Sequence, residues 1–315
     1  MNWKKVSEIL RLMGTLVGFG IFVYLIITNI NELNDMPVRV KFEWDFAVLA
    51  VFLYLFVYFL QMINLRLIYI SIGQKINLLD VVIGFSVSLL PKYIPGFIWG
   101  YFSRGKWFEN KKEIPAAYSW GAAIIELLIT ISTGLVTIGV YLLWQNNQFL
   151  WMAVVLIFIP ILEFYFLKLV AMKILMKILK LDEGIRHLTY NRWLIFYINS
   201  LFQWVILGST LYLLIISSSI QLDYSWEQLF TSTYIFTRSW LTGFLAFIIP
   251  NGLGVRELIL KDLLTVGLGI QSEYTSLIAT ISRLLLFLTE GLWILVGISL
   301  TKRGKTKNNP NVLLI

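Results

Sequence analysis

The chain contains no cysteine and only one histidine, His187, among its 315 residues. The lack of cysteine excludes disulfides, thiol catalysis and cysteine metal sites in this sequence. Without a second imidazole, neither a histidine-based metal site nor a Ser-His-Asp triad is expected. No Gly-x4-Gly-Lys-Ser/Thr motif is present, so the chain contains no phosphate loop for ATP-driven pumping. We therefore expect no metal and no cofactor.

Charged residues are also scarce. They make up 14% of the chain, whereas 58% of the residues are hydrophobic and the mean hydropathy is +0.77. Soluble domains contain about 25% charged and about 45–50% apolar residues. The excess apolar surface cannot be hidden in one water-soluble core, so its solvent must be lipid. The composition predicts a single all-α integral membrane domain over residues 1–315.

Six apolar segments are long enough to span a bilayer as helices, at roughly 20 residues each. They cover about residues 12–28, 46–65, 116–144, 149–170, 193–216 and 274–300. Two further apolar segments, at about 78–103 and 228–262, are interrupted in the middle by proline and glycine. The most economical interpretation of each interrupted segment is a re-entrant hairpin, and the alternative is a proline kink in an ordinary helix.

The positively charged residues are concentrated in the loops. The net charge is +8, but the basic residues form short clusters between apolar segments, which is typical of cytoplasmic loops and not of nucleic-acid binding. All of the strongly basic loops face the cytoplasm only if each interrupted segment enters and leaves on the same side. This topology predicts a multi-pass membrane protein with both termini in the cytoplasm. Because no targeting sequence is evident, we expect the membrane to be a prokaryotic plasma membrane.

The same topology predicts an inverted repeat. The units at 46–144 and 193–300 each consist of a helix, a hairpin and a helix, and their hairpins enter from opposite sides. The run that starts at Glu126 aligns without gaps on the run that starts at Arg283. Inverted repeats with broken helices are the layout of many secondary transporters.

Irregular backbone survives at membrane depth only beside a protein-lined or wet cavity. We therefore expect a polar cavity at the two hairpin tips, where free N–H groups of the half-helices would face an anion such as a phosphate. The tip residues are Pro95, Gly96, Pro250, Gly252 and Gly254.

Charged residues inside apolar segments are the remaining candidates, because each costs about 2.5–3.5 kcal/mol on insertion scales. They are Lys92, Glu126, Arg238, Arg256, Glu257, Arg283 and Glu290. Glu126 and Arg283 hold equivalent places in the repeats, so we expect them to approach each other or a shared headgroup; the alternative is a structural ion pair. Arg104 would hold a phosphate at the cytoplasmic mouth or serve as a plain positive anchor, and Glu290 would act in helix packing.

Two motifs carry a family resemblance. Residues 92–99 and Arg104 have the pattern Lys-Tyr-x-Pro-Gly-x-x-Trp…Arg, and residues 250–257 have the pattern Pro-x-Gly-x-Gly-x-Arg-Glu. With Glu126 and Arg283 in the helices that follow, the chain resembles the lysylphosphatidylglycerol synthase transmembrane-region family, also called flippase-like. Asn251 stands where a glycine is common in that family.

The resemblance implies a lipid flippase or scramblase that moves an anionic phospholipid or a polyprenyl-phosphate-linked lipid, and not an enzyme. The residues expected to bind the substrate are Lys92, Tyr93, Trp99, Arg104, Glu126, Arg256, Glu257 and Arg283. The expected partners are a membrane lipid with a phosphate headgroup and a separate lipid-synthesising enzyme or glycosyltransferase, with a homo-oligomer left open.

Two other functions stay open. The chain could be an integral-membrane enzyme or enzyme subunit of a lipid-linked glycan pathway, for which only Glu126, Glu257 and Glu290 could act as the catalytic acid. It could also be a structural partner of a glycosyltransferase, in which case the charges within the membrane would be dispensable.

Overall fold

The structure is a computed structural model that describes residues 43–93, 98–171, 188–218, 225–246 and 252–308, with positions 27 and 249. Side chains at 92, 93, 98, 99, 116, 170, 171 and 302–308 are outside this description. The predicted first helix at 12–28 and the tip residues Pro95, Gly96 and Pro250 also lie outside the described residues.

The described part of the chain is helical and contains no strand. Its α-helices are α1 (Trp44–Ser71), α2 (Leu78–Val87), α3 (Ile98–Lys112), α4 (Ala116–Gln145), α5 (Phe149–Phe166), α6 (Tyr190–Ser217), α7 (Trp226–Leu245), α8 (Val255–Leu268) and α9 (Ser272–Asn308). A 3-10 turn follows α2 at Leu90–Tyr93, and a π-helical turn continues α5 at Leu167–Ala171.

Five of these helices, α1, α4, α5, α6 and α9, are long and apolar enough to cross a membrane. They coincide with five of the six predicted spans, and the sixth lies outside the described residues. The prediction of an all-α, multi-pass membrane protein is therefore confirmed.

The first interrupted segment folds back on itself. Asn77 caps α2 by accepting a hydrogen bond from the backbone N–H of Asp80 at 2.8 Å. Asp80, at the start of α2, forms an ion pair with Lys112, at the end of α3, at 2.6 Å. Further along, Gly84 packs so closely on Trp107 that a Cβ would lie 2.7 Å from its ring. This register makes α2 and α3 an antiparallel helical hairpin.

The second interrupted segment does the same with α7 and α8. Gly267 lies opposite Ile235, and Gly243 lies opposite Arg256. Gly252 sits in the turn at φ +64°, where a Cβ would be 2.6 Å from the carbonyl oxygen of Gly243, so this close turn requires glycine. Both interrupted segments thus reverse direction, and their re-entrant placement in the membrane stays a prediction.

The long helices run in the directions that the topology requires. α1 and α6 are antiparallel, because the Glu43 N–H donates to the Ser217 carbonyl at 2.8 Å while Asn64, twenty-one residues later, bonds to Ser200 at 3.2 Å. α1 and α9 run parallel: Tyr54 bonds to Ser282 at 3.1 Å, and further along both helices Tyr58 bonds to Glu290.

Each hairpin packs against a helix distant in sequence. Tyr234 of α7 stacks on Tyr141 of α4 with ring centroids 4.3 Å apart. Gly297 of α9 meets α2 so tightly that a Cβ would lie 2.7 Å from the Cβ of Ser86. Each hairpin therefore contacts the last helix of the other predicted repeat.

Candidate functional site

A cavity of about 190 Å³ lies between the two helical hairpins. Both hairpins line it, and α1, α4 and α9 complete its wall. Its charged lining residues are Arg104, Glu126, Arg256 and Glu290. The remaining wall is a mixture of aromatic, aliphatic, glycine and small polar residues, and its aromatic members include Phe85, Tyr101, Trp240 and Phe244. The cavity can therefore hold a small charged group beside apolar surface.

Arg104 and Glu126 form a two-pronged ion pair on one side of the cavity. Arg104 donates from Nη2 to Oε2 of Glu126 and from Nη1 to Oε1 at 3.4 Å. The Arg104 side chain is only 6% exposed, and its guanidinium lies 5.2 Å from the Phe85 ring centroid and 5.0 Å from that of Tyr101. Arg104 is therefore fixed inside the protein by charge and by ring contacts.

Glu257 and Arg283 form a second ion pair behind the other hairpin. Nε of Arg283 approaches Oε1 of Glu257 to 3.2 Å, with both side chains at most 3% exposed. The other carboxylate oxygen of Glu257 accepts the N–H of Gly254 at 2.6 Å, at the N-terminus of α8. Neither charged residue lines the cavity. Glu257 thus occupies a backbone N–H that we expected to face the substrate.

The two ion pairs occupy corresponding places with opposite signs. Each joins the helix after a hairpin turn to the long helix that follows it: α3 to α4, and α8 to α9. Glu126 and Arg283 therefore pair with partners inside their own units and not with each other. Their convergence on a shared headgroup stays a prediction.

Arg256 is the cavity cation with a different environment. It is buried, with 7% of its surface exposed, and its guanidinium lies 4.8 Å from the Phe236 ring centroid. Among the described residues, no carboxylate lies within ion-pair distance of Arg256, whereas Arg104 and Arg283 each have one. Arg256 thus borders the cavity without a described carboxylate partner.

Glu290 joins α9 to α1. Tyr58 of α1 donates its hydroxyl hydrogen to Oε1 of Glu290, which is 1% exposed, and both residues line the cavity. This contact agrees with the packing role expected for Glu290. Sequence reasoning missed Tyr58 and its neighbour Gln61, although two polar side chains one turn apart in an apolar helix were a usable signal.

Several predicted site residues do not line the cavity, or have side chains that lie outside the description. Arg238 is exposed on α7 and donates to the Tyr234 hydroxyl at 2.6 Å. For Lys92, Tyr93 and Trp99 only the backbone is described. Gly252 does line the cavity. In the described residues, no group of three or more His, Cys, Asp or Glu side chains could hold a metal ion.

Comparison with known protein families gives a match that covers most of the chain. The sequence profile of the family described as the lysylphosphatidylglycerol synthase TM region matches residues 12–293. This range includes both hairpins, all four charged residues of the cavity and both ion pairs. A search of curated proteins finds no match to this chain.

Proposed function

The chain belongs to the lysylphosphatidylglycerol synthase transmembrane-region family, and we propose that it is a lipid transporter that moves a lipid with an anionic, phosphate-bearing headgroup across the plasma membrane. The lipid is an anionic phospholipid or a polyprenyl-phosphate-linked lipid. The headgroup enters the cavity between the hairpins while the chains stay in the surrounding bilayer.

The proposal rests mainly on Arg256, a buried cation in the cavity with no carboxylate partner among the described residues. A buried cation is costly unless an anion pairs with it, and none of the described carboxylates does so. Arginine also matches phosphate geometry, since its planar guanidinium can donate two parallel hydrogen bonds. A phosphate at Arg256 would face Arg104 across the same cavity. Because Glu257 already caps α8, the side chain of Arg256 and not the helix N-terminus is the main phosphate ligand.

The cavity size favours a headgroup over a whole lipid. Its volume of about 190 Å³ corresponds to roughly six water molecules at about 30 Å³ each. That room suffices for a phosphate with its waters, whereas an acyl or prenyl chain must remain outside. The aromatic side chains of the wall provide an apolar border between the headgroup and the chains.

The arrangement of helices supports transport by an inverted repeat. The first helices of the two predicted repeats, α1 and α6, run antiparallel, and each hairpin packs on the last helix of the other unit. Exchange of the two units therefore preserves these contacts. Transporters of this layout open a central site to alternate sides by moving one unit against the other.

The test is lipid movement in liposomes that contain the purified full chain. Lipids carry a headgroup label, and a membrane-impermeant quencher reports the fraction protected in the inner leaflet. We expect the protein to remove this protection for phosphate-bearing lipids, and Arg256→Ala to restore it. Arg238→Ala is the matched control, because Arg238 lies on α7 outside the cavity. Normal transport by a folded Arg256→Ala protein would refute the assignment.

An integral-membrane enzyme or enzyme subunit is the second candidate. It is favoured by the carboxylates of Glu126 and Glu290, which line the same cavity as Arg256. This candidate expects headgroup chemistry in a membrane extract that Glu126→Gln or Glu290→Gln abolishes. If the protein carries out this headgroup chemistry but moves no lipid in liposomes, the enzyme proposal replaces the transport proposal.

A further inference from the structure

Glu163 is a charged residue that the proposed transport site does not use. It is the only charged residue of α5, and it lies outside the cavity and outside both predicted repeats. It lies fourteen residues after Phe149, the first residue of α5, or about 21 Å along the helix, and a helix that spans the bilayer carries such a position inside a hydrocarbon core of about 30 Å. An ionisable group at such a depth is costly and requires a local explanation.

Three helices meet at Glu163. Ser132 of α4 donates a hydrogen bond to Oε2 of Glu163 at 2.7 Å. The hydroxyl of Tyr197, on α6, lies beside both residues. Tyr197 is 1% exposed, and its hydroxyl has no hydrogen-bond partner of good geometry among the described residues. A carboxyl, a hydroxyl and a phenol therefore converge, with hydrogen-bonding capacity left over.

No described cation neutralises this carboxyl. Lys168, five residues further along, lies over the Phe164 ring at 5.6 Å, and no described basic side chain forms an ion pair with Glu163. The nearest basic residue in the sequence of α6 is Arg192, which is exposed five residues before Tyr197. On α4 the facing group is the neutral Ser132. A carboxylate in apolar surroundings without a cation is stabilised by taking up a proton.

α4 links this site to the cavity. Ser132 follows Glu126 by six residues, which places it about 9 Å along the helix and about 240° around it. One face of α4 thus bonds to Arg104 at the cavity, and another bonds to Glu163. Next to Ser132, Thr133 accepts the indole N–H of Trp204 from α6 at 3.1 Å. The position of α4 is therefore set by polar bonds on both sides.

We propose that Glu163, Ser132 and Tyr197 form a proton-binding site that is separate from the headgroup cavity. The carboxylate of Glu163 takes a proton from a hydronium ion, whose O–H bond breaks as the carboxyl O–H bond forms and water is released, and it later returns that proton to water by the reverse step. Protonation removes the negative charge to which Ser132 donates, so this bond weakens and α4 is freer to shift relative to α5. The site binds protons whether or not the lipid proposal holds, while its coupling to lipid movement rests on that proposed function.

Carbodiimide labelling of the full chain in lipid nanodiscs tests proton binding without transport. A fluorescent carbodiimide reacts with protonated carboxyls in apolar surroundings, and peptide mass mapping locates the adduct. We expect an adduct at Glu163 that declines as the pH rises, and its loss in Glu163→Gln. The exposed carboxyl of Glu109 provides the matched control, and Glu109→Gln should leave the adduct at Glu163 unchanged.

Ser132→Ala distinguishes the built site from an isolated carboxyl. Loss of a hydrogen bond to the charged form should move the labelling midpoint upward by about one pH unit. An absence of labelling at Glu163 at every pH, or an unchanged midpoint in Ser132→Ala, would overturn the proton site.

The coupling is tested by lipid movement under an imposed pH gradient. The wild-type protein should respond to the direction of the gradient, and Glu163→Gln should not. If lipid movement responds equally to the pH gradient in the wild-type protein and in Glu163→Gln, Glu163 does not couple protons to transport. Whether Glu163 binds protons is then decided by the carbodiimide labelling alone. Failure of lipid movement in the absence of a gradient would instead reject the proposed function.

Discussion

Breaking the ion pair between Arg104 and Glu126 should destabilise the protein more than any surface charge change. Glu126→Ala removes both hydrogen bonds that Arg104 donates. It leaves a guanidinium that is 6% exposed, with the Phe85 and Tyr101 rings as its remaining neighbours. The unpaired guanidinium would stay largely buried, with the cavity as its access to water.

The expected loss of folding free energy in Glu126→Ala follows from the burial of the ion pair. Removing one partner of a buried ion pair costs about 3–5 kcal/mol, because the other charge stays buried. The Glu126 side chain is 15% exposed, so water reaches part of the site and the lower end, about 3 kcal/mol, is expected. This is at least about a hundredfold in the folding equilibrium and a large fraction of a total stability of about 5–15 kcal/mol.

The assay is the unfolding of purified variants in one detergent, followed by a signal that reports loss of tertiary packing. Lys112→Ala is the matched control, because its ion pair with Asp80 is 35% exposed on the lysine side and should be worth less than about 1 kcal/mol. The double variant Arg104→Met/Glu126→Leu should recover most of the stability, since no charge is then left unpaired. A Glu126→Ala protein as stable as Lys112→Ala would refute this reasoning.

Two further predictions concern glycines at close contacts. Gly252→Ala should destabilise the second hairpin by more than about 1 kcal/mol, because φ is +64° and the added Cβ would meet the Gly243 carbonyl. Its control is Gly269→Ala, which has the same φ but open space around the added Cβ. Gly269→Ala should lower the stability less when both variants are compared by thermal unfolding. Gly208→Ala should separate α6 from α7, because its Cβ would overlap both the backbone and the side chain of Thr233, at a cost of about 1–3 kcal/mol. Gly139→Ala, which meets nothing within 4 Å, is its control, and equal melting temperatures for either glycine pair would contradict the packing argument.

Much of the fold could be predicted because lipid imposes simple rules. Apolar length locates the spans, and proline and glycine locate the breaks, since neither backbone irregularity nor charge is tolerated next to lipid. The breaks located both hairpins but not their ends, because α3 runs to Lys112 and α8 to Leu268, beyond the predicted limits of 103 and 262. The directions of α1, α6 and α9 agree with the topology that the basic loops predict.

The partners of the charges could not be predicted in the same way. Glu126 had several cations available in the sequence, and its separation of 22 residues from Arg104 crosses the turn between α3 and α4, so helical periodicity does not determine the pairing. The choice depends on how α3 packs against α4, which is a tertiary property. Glu163 was overlooked, although a lone acidic residue in the apolar sequence of α5 was visible without a structure.

Substitutions at the neighbouring residues Arg256 and Glu257 should have different effects, one on lipid binding and the other on stability. Glu257 caps α8 and pairs with Arg283, so Glu257→Leu should lower the melting temperature strongly by leaving a buried guanidinium without its carboxylate. Among the described residues, Arg256→Met gives up the cation–π contact with the Phe236 ring, worth about 0.5–2 kcal/mol, while it relieves the cost of burying a charge. Arg256→Met should therefore retain the melting temperature and abolish lipid movement. A loss of stability in Arg256→Met comparable to that of Glu257→Leu would mean that Arg256 is a structural residue, and the phosphate would then have to be held elsewhere in the cavity.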